Sequence, residues 1–118
     1  MPFQIKPSTS SLTIPAFPGV PNVHFGDVLG TSDPALPSPI AGAWFRMDKG
    51  PESTPPTYEY DEFGVVIEGS FNFRDETGQS VTVRRGDVFF FPRGSTITFS
   101  SEDFGVAVKV RGQALARL

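Results

Sequence analysis

The chain has 118 residues, a formal net charge of −3, a pI near 5.0, no cysteine and a single histidine. That length makes one domain with its own core, and its weak acidity, with no basic cluster beyond Arg84-Arg85, excludes a nucleic-acid partner. The missing residue types exclude disulfides, thiolate metal sites and zinc sites built mainly from imidazoles.

Residues 1–38 read as an extended N-terminal arm, packing on the barrel or on a partner subunit. Prolines at 2, 7, 15 and 18 break its first stretch, so no secretory signal is expected. No apolar run approaches the roughly 20 residues of a membrane-spanning helix, and a soluble, cytoplasmic protein is the expectation. Short extended segments are predicted at Ser11–Ile14 and Val23–Leu29, and residues 1–10 read equally well as an unstructured tail.

Residues 39–118 read as a run of short strands. Ala41–Met47 ends near the Lys49-Gly50-Pro51 turn, and Thr57–Tyr60 is a short strand. Gly64–Glu68 is β-branched and closed by Gly69, while Ser70–Arg74 places Phe71 and Phe73 on one face. A turn at Asp75–Gln79 leads to Val81–Val83, and Val88–Phe91 runs into Pro92. Thr96–Ser100 and Gly105–Val110 complete the series. Seven or eight such strands at intervals of about ten residues, with turn residues between, predict an all-β sandwich or barrel.

Two spacings select between these. In GDVFFFPRGSTITF, five residues separate Gly86 from Pro92; in YEYDEFGVVIEG, six separate Glu62 from Gly69. Together, in this order and with a hairpin between, they resemble the two motifs of the cupins, whose fold is a double-stranded β-helix, or jelly-roll barrel. SPIAGAWFRMD, YDEFGVVIEG and the proline, basic residue, glycine, serine run resemble more closely the EutQ-type cupins of ethanolamine utilisation. That resemblance implies a link to ethanolamine breakdown and an acetate kinase activity.

The resemblance also sets out where a cupin metal would be held. Counting back from Glu62, its histidines fall on Pro56 and Tyr58, or on Pro55 and Thr57, and its last histidine falls on Ile97. No imidazole stands at any of them. Glu62, Tyr58, Tyr60 and Glu59 form an oxygen-only set, suited at most to a weakly held hard ion. The expectation is therefore no metal and no cofactor. His24 either folds inward or serves as a packing or surface residue.

What remains is acid–base chemistry. If strand alternation holds, Tyr58, Tyr60 and Glu62 share the face that the motif assigns to the barrel interior. A carboxylate among phenylalanines would have its pKa raised by desolvation, which suits proton transfer; a tyrosine can donate to a carbonyl. Trp44, Arg46, Glu59, Ile97 and Phe99 are the candidate substrate-binding residues. Arg46 either anchors a substrate carboxylate or makes a rim salt bridge with Glu59 or Asp61. The expected function is a metal-independent enzyme acting on a small organic molecule, of isomerase, dehydratase, decarboxylase or cyclase type. The alternatives are a non-catalytic ligand-binding cupin, or an EutQ-like acetate kinase or accessory protein. Phe89, Phe90 and Phe91 put aromatic rings on both faces of one strand, so an apolar outer face and a homodimer are predicted.

Overall fold

The computed structural model describes residues 2–7 and 14–116 and contains eight strands. These are β1 (Ala16–Phe17), β2 (Val20–Gly30), β3 (Ala41–Asp48), β4 (Glu62–Arg74), β5 (Ser80–Arg84), β6 (Val88–Phe91), β7 (Thr98–Ser100) and β8 (Phe104–Arg111). One sheet runs β1-β2-β3-β8-β4 and takes β6 on the far side of β4; the other pairs the second half of β4 with β5 and β7. All the pairings are antiparallel. The all-β jelly-roll barrel expected from the motifs is what the chain forms.

β4 is the strand that joins the two sheets. The sequence reads as two strands parted by Gly69, but the backbone continues through it. A bulge between Val66 and Glu68 and a φ of 66° at Gly69 bend β4 from one sheet into the other. A Cβ at Gly69 would run into the Phe104 carbonyl, so glycine is required there for both φ and space.

β2 contains the extended segment predicted at Val23–Leu29 and is longer than it at both ends. Its alternating Val23 and Phe25 pack on the core, and it pairs with β3 from Val23–Met47 to Gly30–Ala41. Residues 20–30 are therefore part of the barrel sheet. Phe3 and Ile5 of the arm are exposed. The segment predicted at Ser11–Ile14 lies, apart from Ile14, outside the described residues.

The core is aromatic. Phe73 meets Phe89, Phe91 and Phe99 edge-on at 5.0–5.3 Å, and Phe45 stacks on Phe71 at 5.4 Å. Burying each such ring contributes roughly 1.5–3 kcal/mol, with a further increment from edge-to-face geometry. The outer face of the first sheet is apolar as well. Phe63 lies opposite Phe90 and Val110, and Val65 opposite Val88 and Val108. Phe63, Val88 and Phe90 are each more than half exposed.

Candidate functional site

The inward side chains of the first sheet form layers set by its register. One layer is Asp27, Ala43, Lys109, Gly64 and Phe89; the adjoining one is Ala41, Arg111, Glu62 and Phe91. Two cations and two carboxylates thus meet at one end of the barrel. Lys109 has room because its cross-strand neighbours are Ala43 and Gly64. A Cβ at Gly64 would enter the Phe89 ring.

The two ion pairs differ. Arg111 clamps Asp27 bidentately at 2.7 and 2.8 Å and also donates to Gln113 Oε1 and the Ala114 carbonyl. Asp27 accepts the Ala116 amide as well. The guanidinium holds the Asp27 carboxyl below the usual carboxylate range, and Asp27 in turn raises Arg111. Lys109 and Glu62, by contrast, stand 3.3 Å apart with both side chains about 5% exposed or less. The approach misses hydrogen-bond geometry, and Glu62 Oε1 has no hydrogen-bond partner among the described residues. Lys109 Nζ instead sits over the faces of Phe45 (3.9 Å) and Phe99 (4.5 Å). Burial lowers the Lys109 pKa, with the Glu62 charge opposing.

This second pair lies in the wall of a cavity of about 590 Å³, whose remaining wall is largely apolar. Phe17, Val20, Val23 and Phe25 close one side; the 53–60 segment closes another. That segment runs along residues 94–99 without becoming a strand. Ser53 exchanges backbone bonds with Phe99, Tyr58 with Gly94 and Ser95, and the hydroxyls of Thr54 and Thr57 pair with those of Thr98 and Thr96. Pro55 and Pro56 lack the N–H groups that a ladder needs between those points. The strand predicted at Thr57–Tyr60 is accordingly absent, and Glu59 and Tyr60 form a bend.

Tyr58, Tyr60 and Glu62 nevertheless converge on the cavity, with Glu59 and Phe99 beside them. The tyrosine rings stack at 5.5 Å. Burial first, and then the Glu62 charge, raises both phenols, so they remain protonated hydrogen-bond donors. The isolated carboxylate expected among phenylalanines has a buried ammonium beside it.

The other candidates lie elsewhere. Trp44 and Arg46 alternate with Phe45 and so stand on the outer face of β3; Arg46 pairs with Asp48 at 2.9 Å and lies over Phe104. Ile97 is buried in the aromatic core and does not line the cavity. His24 donates from Nδ1 to the Ile14 carbonyl at 3.0 Å and approaches Asp48 at 3.5 Å, outside the cavity. Asp61 accepts the Arg93 amide on the surface.

A transition metal does not fit these residues. Among the described residues no cluster of three histidine, cysteine or carboxylate groups exists, and the ammonium of Lys109 is already beside the one buried carboxylate.

Lys109, Arg111 and Asp27 were missed by sequence reasoning. The available signal was the alternation of Gly105–Arg111, which puts Ala107, Lys109 and Arg111 on one face and three valines on the other. Nothing in that pattern says which face is inside.

Comparison with known proteins gives a consistent result. The EutQ-like cupin domain matches residues 41–110. The acetate kinase EutQ of Escherichia coli is 45% identical over 47 residues, a stretch covering 40% of this chain and 20% of that protein. A solved structure of a putative ethanolamine utilization protein Q from Salmonella typhimurium is 27% identical. It has a TM-score of 0.72 and covers 91% of this chain and 84% of that one. The Clostridium difficile EutQ structure shares the fold at 23% identity, with a TM-score of 0.73 and coverage of 91% and 78%.

Proposed function

This chain belongs to the EutQ-like cupin family, and from that premise we propose that it binds a small organic metabolite in the open end of its barrel, in a role of the ethanolamine-utilisation kind. The observation that carries this reading is the Glu62–Lys109 pair, buried, incompletely hydrogen-bonded and set in the wall of a largely apolar cavity. Such a pair offers little to stability, because desolvation offsets its attraction. Convergent polar groups in an apolar pocket are what ligand recognition uses.

Turnover there would be acid–base chemistry. Glu62 moves protons, the phenols of Tyr58 and Tyr60 donate to a developing oxyanion, and Glu59 and Phe99 contact the bound molecule. Isomerisation, dehydration, decarboxylation and cyclisation are the reactions this set serves, without a metal or cofactor. The relatives' name makes phosphoryl transfer between ATP and acetate the first turnover to assay.

Calorimetric titration with ethanolamine, acetate and acetyl phosphate tests binding, and saturable heat with at least one of them is expected. No saturable binding by any would end the reading. ATP-dependent acetyl phosphate formation, measured with the wild type and Glu62→Gln, tests turnover. Loss of rate with affinity retained assigns Glu62 to chemistry; an unchanged rate removes it.

The outer apolar face supports a homodimer, assembled in the cytoplasm. Light scattering should give twice the chain mass, and Phe90→Glu should halve it. A monomeric wild type would end that proposal.

A further inference from the structure

Lys109 lines the cavity, and its buried, off-geometry pairing with Glu62 adds little to stability. Its neighbour Arg111, on the same strand and face, is saturated by a bidentate carboxylate and further acceptors. Lys109 has one off-geometry carboxylate and two ring faces, and its Nζ is held against the cavity by Ala43 and Gly64 on either side. A fully buried lysine in a largely apolar pocket beside a carboxylate is an arrangement in which an amine becomes a nucleophile.

We propose that Lys109 forms an imine with a small aldehyde or ketone held in the cavity, with Glu62 shuttling the protons. Glu62 takes a proton from the Lys109 ammonium, freeing the Nζ lone pair to attack the carbonyl carbon. The C–N bond forms, and the carbonyl π pair moves to oxygen, which takes the proton back from Glu62. The nitrogen then passes its next proton to Glu62, and Glu62 gives it to the departing hydroxyl. Water leaves as the C=N bond closes. One carbonyl compound and the ammonium thus yield one iminium and one water, with Glu62 returned to its carboxylate. The burial that lowers Lys109 favours the free amine needed at the start. The Phe45 and Phe99 faces and Glu62 stabilise the positive charge that the iminium retains. Tyr58 and Tyr60 line the same cavity and stay protonated, so they are the donors available to the oxygen that carries charge in the intermediate.

The inference rests on the ligand-binding reading for its location and adds the covalent step. The test is reductive trapping with propionaldehyde and cyanoborohydride, followed by peptide mapping by mass spectrometry. The chain's other lysines, Lys6 and Lys49, are exposed and serve as internal references. Lys109 is expected to carry the dominant adduct, and Glu62→Gln to slow its labelling without changing that of Lys6 and Lys49. The Lys109→Met/Glu62→Gln double variant removes the buried charges together; with native near-UV dichroism it should lose the Lys109-dependent adduct entirely. Adducts confined to Lys6, Lys49 and the α-amino group of folded wild-type protein would overturn the proposal. Saturable binding of acetate or ethanolamine would still stand in that case, which separates failure of the imine from failure of the binding site.

Discussion

Two ion pairs sit side by side at one end of this barrel, and they have opposite character. Asp27–Arg111 is bidentate, short and enclosed by further hydrogen bonds from the chain's last described residues. Glu62–Lys109 is more deeply buried yet longer, and one carboxylate oxygen is left without a hydrogen-bond partner. The first has the geometry that makes a buried pair tolerable; the second is tolerated despite its geometry. A buried polar group left incompletely satisfied beside a cavity is where a ligand has something to complete. The comparison therefore separates a latch from a site, although both are built from one carboxylate and one cation.

Breaking the latch should have the largest effect. Arg111→Met leaves Asp27 without its counter-charge and removes the side-chain bonds to Gln113 and Ala114, and should lower stability by about 3 kcal/mol or more, read as a fall in the urea midpoint. A loss within experimental error would mean that the latch holds nothing.

Next comes the space in which Lys109 lies. Gly64→Ala places a methyl group in the Phe89 ring and should cost about 1–3 kcal/mol, with altered near-UV dichroism from the displaced aromatic ring. An unchanged spectrum and midpoint would show that the ring moves freely.

Neutralising the site should have a smaller effect on stability than breaking the latch. Lys109→Met/Glu62→Gln is expected to stay within about 1 kcal/mol of the wild type or to exceed it, because the desolvation cost of both charges disappears. Lys109→Met alone should be clearly worse than the double variant, since it strands Glu62. Equal stabilities of the single and double variants would contradict the ion pair.

The pH dependences sharpen the same contrast. The chain's two tyrosines are Tyr58 and Tyr60, so alkaline phenolate absorbance reports on the site alone. Their folded pKa values lie above the unfolded value of roughly 10. Their contribution to stability is therefore fully present below that pH and is lost as pH rises beyond it. Ionisation should accompany unfolding; phenolate appearing near pH 10 in folded protein would count against the enclosed site. Asp27 works in the other direction. Its depressed pKa stabilises the fold above the ordinary carboxylate range and is lost on acidification, and Asp27→Asn should flatten the acid limb of the stability profile.

Much of the barrel was legible in the chain. Strand starts at Ala41 and Val88, the strand end at Phe91 before Pro92, and the Asp75–Gln79 turn follow from alternation and turn residues, which act locally. Tyr58, Tyr60 and Glu62 line one cavity, but not by the strand alternation read from the sequence, since residues 57–60 form no strand. Gly69 misled because a positive-φ glycine reads as a strand end, whereas here it bends a strand shared by two sheets. Pro55 and Pro56 misled about Thr57–Tyr60 because backbone pairing was possible only on either side of them.

The sequence by itself determined an all-β barrel of seven or eight short strands, its two motif positions and the absence of a histidine set for a cupin metal, since these depend on residue identity and short spacing. Which side of β8 faces inward was decided only by the tertiary structure. In VAVKVRG the valines are the apolar face, and an isolated strand would bury them. The register with β3 and β4 does the reverse, turning the valines to the outer sheet and Lys109 and Arg111 toward Glu62 and Asp27. A period of two assigns residues to faces, but only packing against the rest of the barrel decides which face is the inside.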